Sequence, residues 1–372
     1  MNLTIALLPG DGIGPEVTAQ AIKCLHAVGE TFGHEFNFVE APVGAKAIDK
    51  TGDPLPDTTL QLCKDSDAVL FGAIGDPKYD NDPNSKIRPE QGLLRLRKEL
   101  GLFSNIRPVK VFPTLIDKSP LKKKFIKGTD FIIYRELTGG IYFGEKTLSD
   151  DGTVASDTCT YSEAEISQIA HMAFKAAKSR RKKITLVDKA NVLESSRLWR
   201  KVVTKIGESY PEISLDFLFI DNAAMQLVLN PSQFDVILTS NMFGDILSDE
   251  GSAIGGSIGL LPSASVGEKY ALFEPIHGSY PQAKGKDIAN PIASILSAAM
   301  LLDHFDLDEE SRALVIAVLK SMKNDIVTPD LYKNSKYGTN VVGDFISSNI
   351  RESDDHLTIN RENIWLGKST II

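Results

Sequence analysis

Apolar positions along the chain follow two rhythms. Short runs read as strands: Thr4-Ile5-Ala6-Leu7-Leu8, "DAVLFGAIG" (67–75), "FIIYREL" (131–137), "KITLVD" (183–188), "SLDFLFI" (214–220), "FDVILTS" (234–240) and "YALFEPIHGS" (270–279). Between them lie stretches with helical spacing: "PEVTAQAIKCLHAVGETF" (15–32), "DTTLQLCKD" (57–65), "PEQGLLRLRKELGLF" (89–103), "EAEISQIAHMAFKAAKS" (163–179), "SSRLWRKVVTKIGESY" (195–210) and two long helices at 291–305 and about 308–326. This alternation predicts an α/β fold with a mostly parallel sheet. The middle departs from it. "FIIYREL", "GGIYFGEKTL" and "GTVASDTCTY" are strand-like runs separated by turns, which predicts antiparallel pairing there.

A chain of 372 residues usually divides into two domains. The change of pattern near 103 and the glycines at 255–259 are the candidate boundaries. They give a discontinuous large domain, 1–102 with 256–372, and a smaller one, 103–255, inserted into it. The net charge of −8 argues against a nucleic-acid binder, because phosphate affinity needs a basic face. Two basic runs, "LKKKFIK" (121–127) and "KSRRKK" (178–183), read as solvated faces, the second closing a predicted helix where cations suit the dipole. Cys24, Cys63 and Cys159 are odd in number and lack metal-ligand spacing, which fits a reducing compartment, the cytoplasm. No apolar stretch is long enough for a membrane span.

The turn "LLPGDGIGPEV" (7–17) raises the first chemical question. Its glycines read G-x-G-x-G, whereas a dinucleotide cradle reads G-x-G-x-x-G with an acidic residue about twenty positions on, near where Glu40 stands. Asp11 would lie among amides that must face a pyrophosphate, and Pro15 removes one donor. Taken alone, the turn leaves a Rossmann site open as one reading.

Longer motifs narrow the choice. "LPGDGIGPEV", "GLLRLRKELGLFSNIRPV", "YRELTGGIYFGEK", "DKANVLESSRLWRKVV", "NMFGDILSDEGSAIGGSIGLLPSAS" and "FEPIHGSYPQAKGKDIANPIASILSAAM" together resemble the β-decarboxylating dehydrogenase family, which includes isocitrate and isopropylmalate dehydrogenases. The resemblance covers about residues 3–345 and stops short of the last stretch, 346–372. It implies that family's two-domain α/β fold with a mixed β-sheet, which is not a Rossmann fold. It also implies oxidative decarboxylation of a hydroxyl-bearing dicarboxylate by a homodimer whose active sites are shared, with NAD and Mg²⁺ or Mn²⁺.

The resemblance assigns roles that residue chemistry supports. Arg97, Arg107 and Arg135 fall on the family's substrate arginines, and guanidinium holds carboxylates bidentately. In "GDILSDE", Asp245 and Asp249 stand four apart, so on a helix their carboxylates share a face and repel unless a cation lies between them. Asp221 would join them from the partner subunit, and an all-oxygen set suits Mg²⁺ or Mn²⁺. Lys189 would be the base and Asp221 its tuning partner, while Tyr142 would protonate carbon after carbon dioxide leaves. A basic lysine must be brought down to about 7–8 by burial or like charge. Leu93 and Leu94 precede Arg97 by four and three residues, so one helix face offers apolar bulk suited to the branched alkyl group of isopropylmalate. D-Malate, tartrate or another 2-hydroxy diacid stays open, as does an inactive regulatory subunit. His277, Gly278, Gln282 and Asn290 would line the adenosine side of the cofactor, with Ile13 and Glu90 at the nicotinamide end. Gln282 stands where NAD users carry an aspartate, and Lys284 and Lys286 lie nearby, so NADP stays open.

Overall fold

The computed structural model describes residues 1–80 and 87–351, so all but the first six residues of the stretch 346–372 lie outside the described residues. The chain forms two compact units, Met1–Gly101 with Gly256–Ile372, and Leu102–Gly255. The mixed α/β architecture implied by the resemblance is present in both.

In the first unit the strands run in the order Glu35–Glu40, Asn2–Gly10, Ala68–Ala73, Ala271–Pro275 and Pro262–Val266. All neighbours are parallel except the last pair. The Ile292–His304 helix is buried from Ile292 through Asp303. A helix apolar on all sides belongs inside a core. No helix among the described residues is long and apolar enough to cross a membrane.

The glycine turn answers the question it raised. The Asp11 carboxylate itself accepts the Ala45 and Gly75 N–H groups at 3.0 Å and that of Lys46 at 3.2 Å. The N–H groups of the turn itself are taken by backbone: those of Asp11 and Ile13 donate to the Ala73 and Ser279 carbonyls, both at 2.8 Å, and that of Gly14 to the Asp11 carbonyl at 2.9 Å, so none of the three is offered to a phosphate. Gly10 and Gly12 have φ of 70° and 55° and press against the Ala73 and Ser279 backbone, so the glycines serve a tight turn. Burial holds the Asp11 carboxyl above its ordinary range, opposed by those three N–H groups. The folded state thus binds this proton more tightly than the unfolded chain. That contribution to stability is complete below the unfolded value of 3.8 and is lost as pH rises through the folded value. Asp11→Ala strands three amides, and we expect it to cost at least about 3 kcal/mol. In urea unfolding, the gap between parent and variant should be widest at acid pH and narrow toward neutrality.

In the second unit the order is Ser104–Lys110, Asp130–Glu136, Val236–Thr239, Lys183–Asp188 and Ser214–Phe219. The first pair is antiparallel and the rest parallel. A separate hairpin joins Lys146–Leu148 to Ala155–Asp157, antiparallel as expected. The expected strands around it are shorter than the sequence suggests. Gly140, at φ 75°, turns the chain so that Gly140–Tyr142 is a 3₁₀ turn rather than a strand. The run "KSRRKK" also departs from expectation. Arg180 is largely buried, not solvated, with its guanidinium donating to Asp130 Oδ1 at 2.6 Å and Asp235 Oδ1 at 2.8 Å. Two acidic partners distant in sequence draw it inward.

Candidate active site

Two arginines converge in the second unit because of strand register. Asn105 pairs directly with Arg135 across the antiparallel ladder, and Arg107 is two residues on, so all three share one sheet face. The Asn241–Gly255 helix begins directly after the Val236–Thr239 strand and packs on that face. Contact is close: a Cβ at Gly244 would lie 2.6 Å from Arg135 Cγ. We expect Gly244→Ala to cost about 1–3 kcal/mol through overpacking. It should also lower kcat/KM by displacing Arg135, which steady-state kinetics beside urea unfolding would show.

Arg135 is held from several sides. Its Nε donates to the Asn241 carbonyl at 2.8 Å, its Nη2 to Asn241 Oδ1 at 2.9 Å and its Nη1 to Asp245 Oδ1 at 2.6 Å. Arg107 Nε donates to Asn105 Oδ1 and its Nη1 to Ser248 Oγ, both at 2.5 Å. Its Nη1 also lies 3.5 Å from Asp245 Oδ1 and 3.9 Å from Asp249 Oδ1. The Tyr142 hydroxyl donates to Asp245 Oδ2 at 3.0 Å. Both guanidiniums, both carboxylates and the phenol thus form one connected cluster.

Electrostatics in the cluster follow from burial and crowding. Burial and the adjacent Asp245 carboxylate push the Tyr142 phenol up, against the pull of Arg135 and Arg107. It therefore carries its proton at neutral pH. Burial raises the Asp249 carboxyl, Arg107 opposes, and Asp245 adds to the rise. Two carboxylates one helical turn apart, both oxygen donors, suit a hard divalent cation. Among the described residues no group of three or more His, Cys, Asp or Glu side chains could hold a metal. One chain thus brings Asp245 and Asp249 together but not Asp221.

Asp221 instead meets Lys189. Their backbones leave neighbouring parallel strands, in which Asp188 is paired with Phe219. The Lys189 ammonium donates to Asp221 Oδ1 and lies 5.7 Å from the centre of the Phe219 ring. That hydrogen bond holds the Asp221 carboxyl below its usual range. The strand end beneath Lys189 is fixed by Asp188, which accepts from Arg200 Nε at 2.9 Å and Nη2 at 2.8 Å.

The other candidates lie in the first unit. The Pro89–Glu99 helix carries Glu90, Leu93, Leu94 and Arg97. Leu93 is buried and Leu94 half-buried. Arg97 Nη2 donates to Glu274 Oε1 at 2.9 Å, while its shielded Nε has no partner. Glu90 stands against Gly75, where a Cβ would come within 2.9 Å of Oε1. Ile13 packs into an apolar cluster with Val17, Ala283 and Ala289. His277 is half-buried with Nε2 unpartnered, and burial pulls its imidazole below the ordinary range. Gly278 and Gln282 are exposed, Gln282 on the Pro281–Ala283 turn. Asn290 is already engaged: Oδ1 accepts from Ile292 N and Nδ2 donates to Asp330 Oδ2, both at 3.0 Å.

Asn105, Asn241, Ser248 and Glu274 hold the arginines but were not singled out by the sequence. The available signals were slight: an asparagine directly after an apolar strand, and an acid inside the apolar run "ALFEP".

Residues 4–346 match the model of the isocitrate/isopropylmalate dehydrogenase family. The chain is 53% identical over 355 residues to a 3-isopropylmalate dehydrogenase of Bacteroides fragilis, covering 95% of this chain and all of that protein. It is 52% identical to one of Aquifex aeolicus, covering 95% of this chain and 99% of the other. Among solved structures it is similar to an isocitrate dehydrogenase from Methylococcus capsulatus, with a TM-score of 0.86 and 33% identity, covering 94% of this chain and 99% of that one.

Proposed function

The chain belongs to the isocitrate/isopropylmalate dehydrogenase family, and on that premise we propose that it oxidises and decarboxylates (2R,3S)-3-isopropylmalate to 4-methyl-2-oxopentanoate and carbon dioxide, reducing NAD in leucine synthesis. The observation that carries the chemistry is the cluster of Arg107, Arg135, Asp245, Asp249 and Tyr142, joined by hydrogen bonds and ion pairs. The relatives' activity selects the substrate, and the Leu93–Leu94 pair on the Arg97 helix suits its isopropyl group.

Arg107, Arg135 and Arg97 take the substrate carboxylates, with the first two set in position by Asn105, Asn241 and Ser248. Asp245 and Asp249, with Asp221 of a second copy, hold the divalent metal. When bound, the metal supplies Lewis-acid polarisation of the keto oxygen, and NAD⁺ supplies the hydride acceptor. Lys189 takes the hydroxyl proton, with Asp221 fixing its ammonium afterwards. Tyr142 keeps its proton through the earlier steps and delivers it to carbon once carbon dioxide has left. His277, Gly278, Gln282 and Asn290 take the adenosine part of the cofactor, and Ile13 and Glu90 the nicotinamide end. With no carboxylate at position 282, tolerance of NADP is expected beside the preference for NAD.

A homodimer supports this arrangement. Within one chain Asp221 serves Lys189 rather than Asp245 and Asp249, so completing both groups calls for a second copy. The second unit also leaves Leu148, Val154, Val192 and Ile246 exposed, at 68%, 66%, 63% and 53%. A lone two-stranded hairpin is marginal in water, and the one carrying Leu148 needs a cover. The free cysteines fit the cytoplasm.

The test is NADH formation with Mn²⁺ on a panel of isopropylmalate, D-malate and isocitrate. Isopropylmalate should give the highest kcat/KM. Side activity on D-malate is expected, because apolar pockets discriminate by only about 1–3 kcal/mol per methylene. Preference for isocitrate, or binding of substrate and metal without turnover, would overturn the reading.

A further inference from the structure

Tyr161 lies where three parts of this site meet. Its hydroxyl oxygen accepts the Asn241 N–H at 2.9 Å, at the start of the helix that carries Asp245 and Asp249. Its ring fills the space beneath the turn that leads to Tyr142. A Cβ at Gly139 would come within 2.9 Å of the ring, and one at Gly140 within 2.8 Å of Cζ. Asn241 closes the circuit: its Nδ2 donates to the Gly139 carbonyl at 3.2 Å, and its Oδ1 accepts from Arg135. The Gly140 N–H also bonds to the carbonyl of Thr160, next to Tyr161, at 3.0 Å. Trp199 braces the ring edge-on, with centroids 5.4 Å apart at 84°. Tyr161 itself is buried, at 8% exposure.

We propose that Tyr161 is a positioning residue that sets the Tyr142 turn against the Asn241 helix, so that the Tyr142 hydroxyl reaches Asp245 and the reacting carbon. It acts through Tyr142 and touches no reacting atom. The proposal rests on the reading of Tyr142 as the proton donor above. Because Tyr161 reaches the substrate clamp only indirectly, through Asn241, its loss should fall mainly on kcat, with a smaller effect on KM. A purely structural role would lower the amount of folded enzyme instead, leaving kcat per active site unchanged.

The test is a double-mutant cycle of Tyr161→Phe and Tyr142→Phe in the full-length enzyme, with isopropylmalate, NAD and Mn²⁺, and with active sites counted. Tyr142→Phe alone must lower kcat, and if it does not, the reading of Tyr142 fails and the proposal goes with it. Given that drop, Tyr161→Phe should lower kcat by about ten- to hundredfold with KM changed far less, since displacement of about 1 Å costs on that order. In the Tyr142→Phe background the same substitution should have almost no effect. Multiplying effects in the double variant, or an unchanged kcat in Tyr161→Phe, would overturn the proposal. Should Tyr161→Phe fail to fold, Trp199→Phe replaces it. Trp199 Nε1 has no hydrogen-bond partner, so this change costs no hydrogen bond and loosens the brace by loss of ring volume. A smaller fall in kcat, again absent in the Tyr142→Phe background, is expected, and an unchanged kcat would count against the proposal.

Discussion

Lys189→Ala should abolish most turnover while leaving the fold intact. Removing a general base costs about 10²–10⁴-fold in kcat. The loss in stability should be small, because Asp221 in the Lys189–Asp221 pair is exposed, and such surface pairs contribute little. Lys189→Arg separates charge from basicity. Guanidinium can keep an ion pair with Asp221, yet it does not give up its proton in proteins. The arginine variant should therefore be as inactive as the alanine variant. Steady-state kinetics and a urea titration of both proteins check this, and a Lys189→Arg enzyme near parental kcat would refute the base assignment.

Arg135→Lys is expected to be the most damaging conservative change. The guanidinium makes separate bonds to the Asn241 carbonyl, Asn241 Oδ1 and Asp245 Oδ1. One ammonium on a flexible stem cannot replace that fork. Buried hydrogen bonds to charge contribute about 1.5–3 kcal/mol each, so losing two predicts a fall in kcat/KM of about 10²–10⁴-fold and a clear drop in the urea midpoint. Arg95, on the same helix as Arg97, pairs with Asp53 near the surface, and Arg95→Lys should be nearly silent by the same measurements. Parental kcat/KM in Arg135→Lys would contradict the clamp.

Local periodicity explains which parts were legible in the sequence. The four-residue spacing of Asp245 and Asp249 lies on one helix face whatever the tertiary context, and the α/β alternation follows from apolar runs. The Ser104–Lys110 strand was not legible as a strand, because Asn105, Arg107 and Pro108 interrupt its apolar pattern. Two of those interruptions are part of the site itself, which is where local rules are expected to break. The inward turn of Arg180 depends on Asp130 and Asp235, 50 and 55 residues away, and no local window contains that information. Asp11 was correctly suspect in a phosphate cradle, but the amides it takes come from residues 45, 46 and 75. The short exposed hairpin shows no alternation of burial, since all six of its strand residues face solvent in one chain.

The sharpest measurement is subunit exchange between Lys189→Ala and Tyr142→Phe proteins, each keeping only a small residual turnover alone. If base and acid of one site come from different chains, half the sites in a mixed dimer carry both lesions and half carry neither. NADH formation from isopropylmalate should then recover on mixing, in proportion to hybrid formed. If hybrids demonstrably form and no activity returns, the site is not shared between chains, and the account of Lys189, Asp221 and the metal fails with it.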